Sequence, residues 1–189
     1  MKRNTKIANK LNNINEVYNK YNFNPVQHNI LNDSKLKRFE KQRLSLFEDF
    51  LKLPREVFRN KSIIEFGCAS GEKTLIYSLW GGKVTAIEPN EKFIKQLKEN
   101  FNYYKQNIKI KNKKIENYKF KRKYDFVILE NFLSSIKNKG KNLDKVTKLL
   151  KKDGYLLFNY HNKIGFFNEY IKKFIISYFV YKEKAIYTN

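Results

Sequence analysis

The stretch Ile63-Ile64-Glu65-Phe66-Gly67-Cys68-Ala69-Ser70-Gly71-Glu72 sets an acid two residues before a glycine and then small residues at every second position. Residues without bulky side chains let a backbone approach a ligand closely, and an apolar run that ends on a glycine turn reads as a buried strand feeding such a loop. A dinucleotide fingerprint asks for G-x-G-x-x-G, and in the register that starts at Gly67 its second and third glycines fall on Ala69 and Glu72. A pyrophosphate meets the start of the following helix, where a glutamate is an unfavourable neighbour. The loop is therefore expected to take a ligand without a pyrophosphate. A second carboxylate, Glu88, closes the apolar run KVTAIE and is followed by Pro89 and Asn90.

The elements that must position these groups follow from periodicity. Leu36, Phe39, Leu44, Phe47, Phe50 and Leu51 recur at three- and four-residue steps and predict an amphipathic helix from Ser34, closed by Pro54. Strands are predicted at 62–66, 83–88, 108–110, 125–129 and 155–160. Between them lie helices at 71–80, from the N-cap Asn90 with Phe93, Ile94, Leu97 and Phe101 on one face, and at 142–150. Lys152-Asp153-Gly154 reads as a turn, and a last helix is expected from 164 to 179. Alternating strand and helix implies a doubly wound, mostly parallel Rossmann-like α/β sheet, shortened after its fifth strand, with an N-terminal helical extension. Two parts are expected: an arm and helix over 1–61 acting as a cap or lid, and a ligand-binding domain over 62–189.

Composition narrows the class. The chain has 189 residues, a formal net charge of +22 and one cysteine, so a disulfide scaffold is excluded and no Cys/His cluster has zinc-ligand spacing. No run reaches the roughly 20 apolar residues of a membrane span, and the first residues lack a secretory signal's apolar centre, so a soluble, cytoplasmic protein is expected. Lysine neutralises phosphate, yet only six of the 40 basic residues are arginine, and Lys travels with Asn, Ile, Phe and Tyr throughout. Charge alone is thus read as compositional bias: nucleic acid is a possible partner, not the favoured one.

Four segments in order resemble the class I S-adenosylmethionine-dependent methyltransferases: IIEFGCASGEKT, KVTAIEPNEKFIKQLKENF, KYDFVILENFL and KLLKKDGYLLFNY, together spanning about 62 to 160. The resemblance implies S-adenosylmethionine as cofactor, bound by Glu65, Gly67, Cys68, Ala69, Gly71, Glu88, Pro89, Ile115 and Glu130, with Glu65 near its cationic methionine end, Glu88 at its ribose and Ile115 beside its adenine. A carboxylate ending a second strand can accept both ribose hydroxyls, and carboxylates suit a sulfonium and an ammonium. Two positions depart from the family pattern. Ala69 stands at the middle glycine, which is tolerable if its φ is negative, and Lys114 stands where an acid often meets the adenine amino group.

Methyl transfer from a sulfonium needs positioning and a dry site, and a base only when the acceptor must lose a proton. Candidates for that role are Glu130, Asn131 and His161, with Tyr160 beside the last; His28 lies in the arm. Asn131 with Phe132-Leu133-Ser134 does not form an Asn-Pro-Pro-Tyr type motif, which argues against a nucleobase amine as acceptor. The expected function is methyl transfer to a small-molecule or sugar-like acceptor. The alternatives are a noncatalytic or truncated cofactor-binding module, suggested by the short segment after the fifth strand, and an RNA-directed methyltransferase. A homo-oligomer could cover the sheet edge that a fifth and last strand leaves open. No metal is expected.

Overall fold

Sheet order is what brings the candidate residues to one place. The computed structural model describes residues 30–119, 121–133, 136 and 138–159. His28, Tyr160, His161 and the helix expected at 164–179 lie outside the described residues. The described strands are β1 (Ser62–Phe66), β2 (Lys83–Ile87), β3 (Lys109–Lys111), β4 (Tyr124–Leu129) and β5 (Leu150–Phe158). They form one sheet in the order β3-β2-β1-β4-β5, with every neighbouring pair parallel. Because β1 lies between β2 and β4, the connections leave it in opposite directions, and a crevice opens outside its carboxyl end.

The described α-helices are α1 (Asp33–Leu44), α2 (Glu72–Leu79), α3 (Glu91–Tyr103) and α4 (Lys139–Thr147). β1 is buried along its whole length and its residues alternate between two cores. Ile63 joins Phe39, Phe47, Phe58, Ile76, Leu97 and Phe101 on one face, whereas Ile64 and Phe66 join Ile87, Val127, Leu129, Val146 and Leu149 on the other. A strand covered on both faces reads as a largely apolar run, here Ile63, Ile64 and Phe66 around the buried Glu65, which is why it was visible in the sequence.

Three expectations need correction. The first helix does not continue as one α-helix: a π-turn over Ser45–Phe50 follows α1. It inserts a longer hydrogen-bonded step, so Phe47 stays buried while Phe50 is 77% exposed, and the three- and four-residue spacing no longer maps onto one face. The helix expected at 142–150 runs instead from Lys139 to Thr147. Lys152-Asp153-Gly154 is not a turn before the fifth strand but an irregularity inside it: pairing jumps from Tyr124 with Leu150 to Phe126 with Tyr155, and Asp153 has φ 44°. Extra residues on one strand are absorbed as a bulge there. None of the described helices is long and apolar enough to cross a membrane.

Candidate cofactor site

The loop after β1 folds back on itself through left-handed residues. Gly67 and Gly71 have φ of 68° and 81°, and Ala69 also sits at 48°, against the expectation of a negative angle. An L-residue there strains the backbone by about 1 to 2 kcal/mol, which the surrounding bonds must over-determine. They do so from β2, from α3 and from within the loop. Gly67 N donates to Ile87 O at 2.9 Å and Gly71 N to Cys68 O at 3.0 Å, while Asn100 Nδ2 of α3 reaches Ser70 O at 2.8 Å.

Glu88 ties the loop to β2. One carboxylate oxygen accepts Ala69 N at 3.0 Å and the other accepts Asn90 N at 2.9 Å, in a residue only 4% exposed. Burial pushes its carboxyl up, opposed by those two backbone bonds. Each oxygen retains a lone pair beyond the bond it accepts. Asn90 in turn caps α3, its side chain accepting Lys92 N at 3.0 Å.

Glu65, 2% exposed at the end of β1, accepts the Thr74 hydroxyl of α2 at 2.5 Å. Burial raises its carboxyl to about 7, with Glu130 adding to the rise and the Thr74 bond, Lys73 and Arg43 opposing it. Glu72, also buried, is raised to about 7 chiefly by burial, against the bonds from Ser70 and its own backbone. Cys68 is buried, and burial pushes its thiol up, with Glu65 and Glu88 adding to the rise, so it is no nucleophile at neutral pH.

Glu130 follows β4, and its carboxylate is already taken up. Arg43 of α1 holds it with both terminal nitrogens, at 3.0 and 2.5 Å; Tyr77 donates at 2.6 Å and Lys73 Nζ stands 2.9 Å away. Burial alone would raise this acid, yet Arg43 and Lys73 hold it down to about 2. An acid so well compensated is a poor proton acceptor. Arg43 also stacks over Phe47 and Tyr77, at 5.1 and 5.6 Å from the ring centroids. Asn131 is exposed with φ 57°, Ile115 is buried in the core beneath β2 and β4, and Pro89 is half-buried.

The structure thus gathers Glu65, Gly67, Cys68, Ala69, Gly71, Glu88 and Glu130 around the carboxyl ends of β1, β2 and β4. Sequence reasoning missed Arg43, Lys73, Thr74, Tyr77 and Phe132. For Arg43 the signal was present: it lies four residues from both Phe39 and Phe47 on the buried side of a lysine-dominated helix.

The same order of elements is found in other proteins. A family model described as a methyltransferase domain matches residues 38–182, which is most of the chain. The chain belongs to the class I S-adenosylmethionine-dependent methyltransferases. No curated protein matches it in sequence. Among solved structures, the chain is similar in fold to coclaurine N-methyltransferase bound to N-methylheliamine and SAH, at 21% identity and a TM-score of 0.54, covering 63% of this chain and 35% of that one. A protein from Pyrococcus horikoshii OT3 gives 16% identity and 0.53, covering 69% and 60%. A 16S rRNA methyltransferase from T. thermophilus, in complex with AdoMet and guanosine, gives 14% and 0.52, covering 63% and 33%. The chain thus spans between 33% and 60% of the length of these three structures. S-Adenosylmethionine is the cofactor of the family.

Proposed function

We propose that this chain binds S-adenosylmethionine at the carboxyl ends of β1 and β2 and transfers its methyl group to a small or sugar-like nucleophile, free or carried on a larger molecule. The observation that carries the reading is Glu88, a buried carboxylate fixed by two backbone N–H groups with lone pairs left for a diol. In this reading Glu88 and Pro89 face the ribose, the backbone of Gly67 to Gly71 lies along the cofactor, Glu65 faces its cationic end and Ile115 walls the adenine. The cofactor, when bound, supplies a methyl group made electrophilic by its sulfonium.

The chain's own groups orient the reactants and exclude water. Glu130 is held ionised by Arg43 and Lys73, which favours a structural role for it over a base. An acceptor that arrives already nucleophilic, such as a thiolate or a neutral amine, fits these groups better than one that must be deprotonated. His161 stays a candidate base from the sequence alone. Calorimetric titration with S-adenosylmethionine and, separately, NAD tests the reading: micromolar binding of the first alone supports it. Binding of neither by folded protein would favour a noncatalytic module.

Two outcomes are expected within that experiment. Glu88→Ala should weaken S-adenosylmethionine binding by about 1 to 3 kcal/mol, the scale of a lost charged hydrogen-bond pair. Unchanged affinity in a folded variant removes Glu88 from the site.

The second concerns pH. Burial raises Glu65 to about 7, so in the free protein its folded value lies above the ordinary carboxylate value. Its contribution to stability is therefore full below the unfolded value near 4.5 and is lost as pH rises through about 7. A cationic ligand prefers the ionised form, so affinity should climb as pH rises through that window, with proton release on binding below it. Titrations in buffers of different ionisation enthalpy measure that release. Glu72 and Glu88 are also raised, so Glu65→Gln supplies the control: a pH profile as steep as the parent's would exclude Glu65 as its source.

A further inference from the structure

The charge that composition left unassigned is not evenly spread. Residues 105 to 123 hold nine basic residues among 19, Lys105, Lys109, Lys111, Lys113, Lys114, Lys119, Lys121, Arg122 and Lys123, against one acid, Glu116. The whole chain holds 40 among 189, so this segment carries about twice the average density that compositional bias alone would give it. All nine are exposed. The ion pairs of the described residues use Arg43, Arg55, Lys73 and Lys151, so none of the nine is paired with a carboxylate among the described residues. Like charges crowded together without compensation repel one another, and they are relieved only by counterions or a polyanion.

Topology turns the first part of the segment, Lys105 to Lys114, into a strip along one edge of the sheet. β3 is an edge strand, and Lys109 and Lys111 alternate with Ile110 along it, which puts both on one face about 7 Å apart. At its start stands Tyr103, 55% exposed at the end of α3. At its far end Lys111 lies against the candidate site: Glu88 N donates to Lys111 O at 3.2 Å, and Lys113 and Lys114 follow. Edge strands carry lysine to block pairing with other chains, which accounts for Lys109 and Lys111. It does not account for Lys105, Lys113 and Lys114, which flank the strand in sequence; Lys119, Lys121, Arg122 and Lys123 lead instead into the start of β4, with β2 and β1 between it and β3.

We propose that this edge docks single-stranded RNA and leads it to the carboxyl end of the sheet; the docking is independent of the methyltransferase reading, and only the delivery of an acceptor there rests on it. A row of lysines beside an exposed aromatic ring is what a phosphate chain with unstacked bases needs. The five cations of the strip, Lys105, Lys109, Lys111, Lys113 and Lys114, are all lysine, which suits phosphate contacts and not the bidentate reading of base edges, so little sequence preference is expected. The exposed Asn107 amide, between Lys105 and Lys109, can both donate to and accept from 2′-hydroxyls.

The test compares two full-length variants of equal charge. One carries Lys109→Gln, Lys111→Gln, Lys113→Gln and Lys114→Gln; the other carries Lys139→Gln, Lys141→Gln, Lys148→Gln and Lys152→Gln on and after α4. Anisotropy of a fluorescein-labelled single-stranded RNA of about 16 nucleotides reads binding by each. Expected for the edge variant is a loss of about 10- to 100-fold at physiological salt, with the salt slope between about 50 and 200 mM reduced by close to 3, and far less for the other. Equal losses in both would show that net charge and not the edge holds RNA, and would overturn the proposal. So would tighter binding of the matching DNA strand, or binding of phosphatidylserine vesicles in place of RNA. Calorimetry with S-adenosylmethionine on the same samples separates the two questions. An edge variant that loses RNA but keeps the cofactor supports the strip, and RNA binding without any cofactor binding sinks only the methyltransferase reading.

Discussion

Replacing Arg43 by alanine should lower the free energy of unfolding by about 3 to 5 kcal/mol, the cost of leaving one partner of a buried ion pair uncompensated. The side chains of Arg43 and Glu130 are 8% and 12% exposed, so solvent screens the pair weakly. Lys73 and Tyr77 would still hold Glu130, which puts the effect at the lower end of that range. Urea unfolding at neutral pH measures it, and a loss below about 1 kcal/mol would mean that the pair is exposed in solution. The acid limb gives an independent reading. Glu130 is held down to about 2, so its contribution is full above the ordinary carboxylate value and is lost as pH falls toward 2. Arg43→Ala should flatten that part of the stability profile, whereas a variant that merely opens a cavity would leave its shape intact. Because α1 precedes the sheet in sequence and Arg43 reaches the end of β4, the same substitution should also loosen the helix from the rim of the site.

That pair also shows where the sequence could and could not be read. β1, β2, β4 and α3 were legible because burial on two faces, or on one helical face, leaves a periodic mark on residue types. The loop was legible as a ligand-binding turn because Gly67 and Gly71 need angles that few other residues adopt. Ala69 gave the opposite impression: its side chain implies a negative φ, and it is held elsewhere by bonds distant in sequence, its own N–H donated to Glu88 19 residues on and the neighbouring Ser70 carbonyl held by Asn100 30 residues on. Glu130 could be placed at the end of β4 but not given a role. Its behaviour is set by Arg43, 87 residues earlier, and by two residues of α2, contacts that no local pattern encodes. A carboxylate ending a strand can be a base or the centre of a buried network, and the choice belongs to its partners.

Gly67→Ala should cost about 2 to 5 kcal/mol, made of about 1 to 2 for an L-residue held at positive φ and about 1 to 3 for overpacking. Gly67 has φ 68°, and a methyl group built there would stand 2.1 Å from Cδ2 of Phe132, inside any real contact. The two contributions can be separated because only one depends on the ring. In a Phe132→Ala background the overpacking disappears, so the glycine substitution should then cost about 1 to 2 kcal/mol. A double-mutant cycle by urea unfolding measures the difference, and a coupling below about 0.5 kcal/mol would show that the ring does not lie on Gly67 in solution. The cycle bears on function too, because the proposed cofactor and this ring share the space beside the loop. If Phe132 stands over Gly67 only until the ligand arrives, Phe132→Ala alone should leave S-adenosylmethionine affinity unchanged or tighter; if the ring is a wall of the bound site, affinity should fall. Calorimetry on that single variant decides between a residue the ligand must displace and one it packs against.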